Sequence, residues 1–458
     1  MFPKQIFKAY DIRGVYPDEI NDDLGYKIAR AYGGLRQKEL ARNDLKITVG
    51  RDMRLSSPAL CEAVIKGLTE QGIEVIDIGL CSTPTFYFAV ARDGCDGGLM
   101  VSASHNPKEY NGIKIVRERA LPLGKGSGME ELMGLVENGG FIDAEKIGSV
   151  TVKENTVSDQ VDYEMEFCGL KEEVNKIKKF KIVVDTANAM GAQYLEALFQ
   201  KFPQIELVKM NFDLDGTFPA HQADPFQDEN VADLKKRVLT EKADLGIATD
   251  GDGDRIFFVD NKGEMIEPAM IRGIMARLFL RIFSGATICY DIRPGKITED
   301  MILENGGVPS VTRVGHSLIK KQMIETGAVF GGESSGHFFV KFPQGVYEAP
   351  MVVALKFLEE LTATGLTASE YTAPLKKYFH SGEINFRVED KEKVLANLKI
   401  KYADAQLNDL DGLTFTYPDF WFNVRGSNTE SLLRLNLEAR SAEILTEKLA
   451  EIRKIIEE

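Results

Sequence analysis

Residues 250–255 read Asp250-Gly251-Asp252-Gly253-Asp254-Arg255, carboxylates alternating with glycines and closed by an arginine. Anions this close repel one another unless a cation sits among them. Glycine between them frees the backbone to bend until Asp250, Asp252 and Asp254 converge. An all-oxygen set of this kind suits a hard ion such as Mg2+. A polar turn is the plainer reading. A calcium-hand loop is excluded, because it needs Gly at its sixth position and Glu at its twelfth. Arg255 and Asn261 stand there instead.

Other short stretches carry reactive groups. Ser102-Ala103-Ser104-His105-Asn106-Pro107 pairs small residues with a turn signal, which is expected to leave the Ser104 hydroxyl in the open. The G-x-S-x-G elbow of serine hydrolases does not surround it, and a serine capping a turn is the bland alternative. Lys114, ten residues on, could return toward this loop on a second strand, to balance negative charge or move a proton. Gly332-Glu333-Ser334-Ser335-Gly336-His337 gathers a carboxylate, hydroxyls and an imidazole, a set that can bind sugar hydroxyls and supply an acid or base. His316 could join it or be a structural histidine. Arg425-Gly426-Ser427-Asn428-Thr429-Glu430 offers a guanidinium, hydroxyls and an amide around small residues, a composition that suits phosphate oxygens or a plain turn.

Elements that position these loops can be read from periodicity. Short β-branched runs alternate with amphipathic stretches such as 58–71 and 192–201. The runs are 47–49, 75–78 and 98–101, then 181–184, 206–208 and 245–248, then 287–290, 309–312 and 328–330. Such alternation predicts parallel sheets covered by helices. The Ser104, aspartate and Glu333 loops each follow the third strand of a set, and ligands in α/β sheets bind beyond the carboxyl ends of strands. Similar domains facing a shared cleft are therefore expected. The tail differs: strands over 384–388, around Phe415 and over 432–437, a helix over 391–399, and a last helix with Leu445, Leu449, Ile452 and Ile456 on one face. It reads as a small α+β domain. The polar stretch 139–159 is expected to hold the first domain boundary.

The 458 residues allow about three domains, or four if small. Hydrophobic content of 44% and charged content of 28% are ordinary for a soluble protein. A net charge of -14 argues against nucleic-acid binding but leaves room for a small anion held by local arginines. Five dispersed cysteines without a C-x-x-C pair predict reduced thiols and a cytoplasmic location. Neither a signal peptide nor a membrane-spanning run is expected.

Taken together, the loops resemble the α-D-phosphohexomutase superfamily, in its phosphomannomutase/phosphoglucomutase branch. The resemblance runs from Phe7-Lys8-Ala9-Tyr10-Asp11-Ile12-Arg13-Gly14 through the Ser104, aspartate, Glu333 and Arg425 loops, in order. It implies an α/β protein of four domains around a central cleft: three similar mixed α/β domains with largely parallel sheets and a smaller C-terminal α+β domain. The expected divisions are 1–150 for the phosphoserine loop, 151–258 for the metal, 259–371 for the sugar and 372–458 for the distal phosphate. It also implies that Ser104 carries a phosphate and that Mg2+ is held by this group with Asp250, Asp252 and Asp254. A hexose 1- or 6-phosphate would be converted through a hexose 1,6-bisphosphate. Arg13, Arg255 and Lys114 would neutralise charge, and Lys114, His337 and His316 are candidates for proton transfer. Tyr10, Glu333 and Ser335 would contact the sugar, while Arg425, Ser427, Asn428 and Thr429 would grip the non-reacting phosphate. The partner is a small phosphosugar, with no nucleic acid or membrane, and the protein a monomer or weak homo-oligomer.

Two loops argue for the hexose branch. Ser427-Asn428-Thr429-Glu430 differs from the S-G-T-E usual in phosphoglucosamine mutases, and 332–337 resembles the G-E-M-S-G-H of enzymes acting on both mannose and glucose phosphates. Departures from the family pattern are Ser431 for a frequent proline, Arg293 for a common lysine, and no acidic pair in 342–347. A phosphoglucosamine mutase, a Mg2+-dependent sugar phosphatase and a non-catalytic phosphosugar sensor are the competing readings.

Overall fold

The computed structural model describes residues 2–141, 143–293, 295–426 and 432–457. They form two compact units, Met1–Ile266 with Ser335–Ser369, and Glu267–Ser334 with Glu370–Glu458.

The first unit opens with a sheet of β1 (Ile12–Val15), β2 (Lys46–Arg51), β3 (Glu74–Leu80), β4 (Gly97–Val101), β5 (Tyr110–Arg117) and β6 (Val150–Val152). Its order is β1-β5-β4-β2-β3-β6. β2 is flanked by β3 and β4, both parallel to it. The chain then reverses, and β5 runs antiparallel to β4 with Lys114 opposite Met100. β1 pairs antiparallel with β5, and β6 adds outside β3. β4 is buried along its whole length, as a run of Gly, Leu, Met and Val covered on both faces must be. Helices Asp22–Leu40 and Ser57–Glu70 supply Leu24, Ile28, Leu35, Leu60, Val64 and Leu68 to the core over Ile47, Val49 and Val75. Helix Thr83–Arg92 starts at Ser82, whose hydroxyl accepts from Thr85 N at 3.2 Å.

A second sheet repeats this plan with β7 (Phe180–Asp185), β8 (Ile205–Met210), β9 (Leu245–Thr249), β10 (Ile256–Asp260) and β11 (Met265–Ile266). β7 lies between parallel β8 and β9. β10 returns antiparallel to β9, with Ile256 opposite Thr249, so residues 250–255 are a hairpin turn. In the second unit, β12 (Thr287–Asp291) takes the same central place between parallel β13 (Val308–Thr312) and β14 (Phe330–Gly332). Back in the first unit, β15 (Phe338–Phe342) and β16 (Gly345–Glu348) form an antiparallel hairpin before helix Pro350–Thr364.

The C-terminal part of the second unit is an antiparallel sheet of β17 (Phe379–Arg387), β18 (Gln406–Asn408), β19 (Leu413–Thr416), β20 (Phe420–Gly426) and β21 (Leu432–Ala439), in the order β17-β21-β20-β19-β18. Helices Lys391–Lys401 and Ala442–Glu457 cover one face. Ile452 and Ile456 enter the core and Leu445 and Leu449 pack at its edge, one helical stripe. The parallel strands expected from the alternation are present, but each of the first two sheets also carries antiparallel strands. All five cysteines are buried and free. Among the described residues no helix is long and apolar enough to cross a membrane.

Candidate functional site

Ser104 lies in the loop that joins β4 to the returning β5. It is 2% exposed, which corrects the expectation of an open hydroxyl. The aspartate hairpin packs over it so closely that a Cβ on Gly251 would stand 2.3 Å from the Ser104 carbonyl oxygen. Only glycine fits there. The serine adopts φ of 51°, a left-handed conformation that costs on the order of 1–3 kcal/mol and is sustained where surrounding contacts demand it. Its amide donates to Ser102 Oγ at 3.0 Å. Its hydroxyl donates to Asp250 Oδ2 at 2.9 Å and lies 3.2 Å from His105 Nδ1. Burial, with Arg255 and Arg13 nearby, holds the His105 pKa well below the ordinary histidine value.

Asp250, Asp252 and Asp254 are all buried. Gly253 between the last two has φ of 72°, which lets the turn close. Asp250 Oδ1 accepts from the Arg255 amide at 3.1 Å. Asp252 accepts from the Thr83 hydroxyl at 2.5 Å, and its carbonyl oxygen from the Thr83 amide at 2.9 Å, at the start of helix Thr83–Arg92. Lys114 Nζ bridges Asp252 Oδ2 at 2.5 Å and Asp254 Oδ2 at 2.6 Å. Burial alone would lower the lysine pKa, yet these carboxylates hold it well above the usual value, so the ammonium keeps its proton in this arrangement. Burial raises the Asp250 pKa and its two fellow aspartates raise it further. For Asp254 burial acts upward as well, but Lys114 and His337 outweigh it and hold this carboxyl well below the usual range.

This cluster fits a hard cation. Ligand oxygens of the three aspartates lie within 4.8 Å of one another, a spread compatible with oxygens about 2.0–2.6 Å from one ion. Asp252 Oδ1 is buried with no hydrogen-bond partner among the described residues. A buried anionic oxygen left without a donor is costly unless a cation meets it.

Cationic and proton-bearing groups of the same unit surround the loops. Arg13 on β1 is held by Asp11 at 2.9 Å through Nε and reaches Asn106 Oδ1 at 2.8 Å through Nη1. Arg255 approaches Asp224 at 3.5 Å and Asp250 at 3.7 Å. His337 Nε2 lies 3.1 Å from Asp254 Oδ1, and its Nδ1 lies 3.0 Å from Ser335 Oγ. Arg255 Nε also faces Nε2, at 3.5 Å, so the two ring nitrogens meet a carboxylate, a guanidinium and a hydroxyl, and their donor and acceptor roles follow the tautomer. Tyr10 lies half-buried in the loop before Asp11.

The second unit holds the remaining candidates. Glu333 Oε1 accepts from the Gly315 amide at 2.8 Å, one residue before His316 opens helix His316–Thr326. Arg293 is fastened to Asp291 through Nε at 2.6 Å and comes within 3.8 Å of Glu333. Asp291 also receives Arg272 and the Ser334 amide and hydroxyl. Arg425, next to last in β20, stands directly opposite Arg434 of β21. Like charges so paired repel, and Glu383 of β17 resolves this by taking Arg425 at 2.6 Å and Arg434 at 3.3 Å. Ser427, Asn428, Thr429, Glu430 and Ser431 lie outside the described residues. Thr83, Asp291, Glu383 and Arg54, which holds the serine loop, escape sequence reasoning. Apart from Arg293 beside Asp291 and Asp52 beside Arg54, the partners are backbone groups or residues distant in the chain, so little local spacing marks them.

Models of four successive domains match the chain: phosphoglucomutase/phosphomannomutase alpha/beta/alpha domain I over residues 4–141, domain II over 164–263, domain III over 268–378, and the C-terminal domain over 383–455. A phosphomannomutase of Vibrio cholerae is 36% identical over 98% of both chains. A phosphomannomutase/phosphoglucomutase of Pseudomonas syringae is 35% identical, covering 96% of this chain and 92% of its own. The crystal structure of a phosphoglucomutase/phosphomannomutase family protein from Burkholderia thailandensis superposes with a TM-score of 0.87 at 30% identity, covering 99% of this chain and 97% of its own. With every domain matched in order and relatives similar from end to end, the chain belongs to the phosphoglucomutase/phosphomannomutase family.

Proposed function

We propose that this protein interconverts hexose 1-phosphates and hexose 6-phosphates, mannose and glucose phosphates foremost, through a phosphoserine at Ser104 and a hexose 1,6-bisphosphate. The carrying observation is the Ser104 hydroxyl 2.9 Å from Asp250, in a chain matched along its length by mutase relatives. In the first half-reaction the bond from Ser104 Oγ to phosphorus breaks as a free sugar hydroxyl bonds the phosphorus. The hydroxyl proton passes to a protein base, and the departing Ser104 Oγ takes up a proton. The bisphosphate then presents its other phosphate, which returns to Ser104 Oγ as that hydroxyl gives up its proton, while the sugar oxygen it leaves takes one up.

Mg2+ held by Asp250, Asp252, Asp254 and the serine phosphate would neutralise charge on the transferring group. Arg13 and Arg255 add fixed positive charge beside the serine, and Lys114 places an ammonium between Asp252 and Asp254. His337, with one nitrogen toward Asp254 and the other toward Ser335, suits reversible proton transfer; Lys114 is the other leading candidate and His316 the third. Tyr10, Glu333 and Ser335 contact the sugar. Arg425 with Ser427, Asn428 and Thr429 takes the non-reacting phosphate, by the bidentate fit of guanidinium to phosphate oxygens.

Coupled assays with mannose 1-phosphate, glucose 1-phosphate and glucosamine 1-phosphate, each primed with bisphosphate, test the assignment. Turnover of the first two well above the third is expected. Equal rates with glucosamine phosphate would contradict the hexose branch, and release of free phosphate in step with substrate loss would replace the mutase with a phosphatase.

A further inference from the structure

The serine loop is wrapped around a side chain that does not touch the reacting atoms. Arg54 follows β2 and is fully buried. Its Nη2 donates to the carbonyl oxygens of Ser104 at 2.7 Å and Asn106 at 2.6 Å. Its Nη1 donates to those of Pro107 at 2.7 Å and Tyr110 at 2.9 Å. Asp52 Oδ2 lies 3.2 Å from Nε, and Asp52 Oδ1 is fixed by the Arg54 amide at 3.0 Å and the Ser57 hydroxyl at 2.5 Å. The Phe218 ring covers the guanidinium, its centroid 5.1 Å away. Gln222, from the same segment as Phe218, donates to the His105 carbonyl, which lies between those of Ser104 and Asn106, at 3.1 Å.

Four carbonyl oxygens turned toward one point repel one another unless donors sit between them. A buried guanidinium is itself unfavourable unless paired. Each therefore requires the other. The planar fork also fixes directions, holding two carbonyls on each terminal nitrogen. Ser104, in its left-handed conformation, would relax if its carbonyl were released, and its hydroxyl would swing from Asp250.

We propose that Arg54 is a positioning residue for phosphoryl transfer, holding the Ser104–Tyr110 loop in the conformation that aims Ser104 Oγ at the aspartate turn. The proposal rests on the reading of Ser104 as the phosphate carrier. Lysine preserves the charge beside Asp52 but offers one nitrogen, which cannot serve both pairs of carbonyls.

Arg54→Lys and Arg54→Ala test it in the full-length protein, with kcat, KM, melting temperature and amide exchange of the 102–110 segment as readouts. In folded Arg54→Lys, kcat should fall about 100-fold with KM nearly unchanged, the cost of a misplaced reacting group. Exchange should quicken in 102–110 while the rest of the sheet stays protected. Millimolar guanidinium should restore part of kcat to Arg54→Ala and none to Arg54→Lys. Folded Arg54→Lys with wild-type kcat, or with unchanged loop exchange, overturns the proposal. So does a loss that merely tracks the unfolded fraction. If wild-type protein proves to carry no phosphate on Ser104, the mutase reading fails, yet the exchange measurement still decides what Arg54 does to the loop.

Discussion

The aspartate turn of the first unit and the arginine pair of the second both crowd like charges together, but they resolve the crowding differently. Asp252 and Lys114 are 0% and 4% exposed, and the carboxylates are fixed by the Arg255 amide, the Thr83 hydroxyl and a lysine from β5 of the other sheet in that unit. Arg425 and Arg434 share one carboxylate, Glu383, and these side chains are 11%, 33% and 24% exposed. The buried cluster is preorganised, as charge stabilisation during bond transfer requires. The sheet-face cluster is partly solvated, and Glu383 occupies an arginine that an incoming phosphate would share. In the proposed reaction one region moves a phosphoryl group and the other only holds one.

The largest effect should follow removal of the buried cation. Lys114→Met should lower kcat on the order of 10²–10³-fold. Without divalent ion it should also destabilise the fold by about 3–5 kcal/mol, because the carboxylates lose their counter-charge. Denaturant titration in chelator and in Mg2+ checks this, and the deficit should shrink in Mg2+. Equal deficits in both conditions would break the link between this cluster and a cation. Arg425→Lys is expected to act on binding, raising KM about 10-fold with kcat within a few-fold, since a point charge replaces a bidentate fork. A loss confined to kcat would place Arg425 with the transferring machinery.

Glu383→Gln should be the mildest change. Keeping the hydrogen-bonding shape while removing the competing anion should leave KM equal or lower. Burial raises the Glu383 pKa, but Arg425 and Arg434 outweigh this and hold it below the ordinary value. The carboxylate therefore stabilises the fold at neutral pH, and this contribution fades as pH falls from about 4.3 downward through the depressed folded value. Urea unfolding from pH 7 to pH 3 should show wild type converging on the variant at the acid end. A constant gap between them would mean that the Glu383 charge contributes nothing.

Much of this comparison is legible in the sequence, unevenly between the two regions. Alternating Asp and Gly over 250–254 announces converging carboxylates, and β-branched runs place that turn and the Ser104 loop after third strands. The returning antiparallel strands are harder to read, because β5 and β10 differ from parallel strands in partner rather than in pattern. Strand β20 is hidden, since Phe420, Trp421 and Phe422 break the alternation that marks a strand with one wet face. The burial of Ser104 depends on Gly251 packing against it from a segment well over a hundred residues away. Arg54 passes unmarked, because the backbone carbonyls that are most of its partners leave no mark in the sequence. Glu383 faces Arg425 only once β17, β21 and β20 lie side by side.

The central claim is that Ser104 carries the phosphate that moves. Intact-mass and phosphopeptide analysis of protein incubated with Mg2+ and a hexose 1,6-bisphosphate tests it most directly. The account predicts the mass of one phosphate, mapped to Ser104, discharged by excess hexose monophosphate and missing from an inactive Ser104→Ala variant. Undiminished turnover by Ser104→Ala, with no phosphate on the wild-type serine during the reaction, would contradict it.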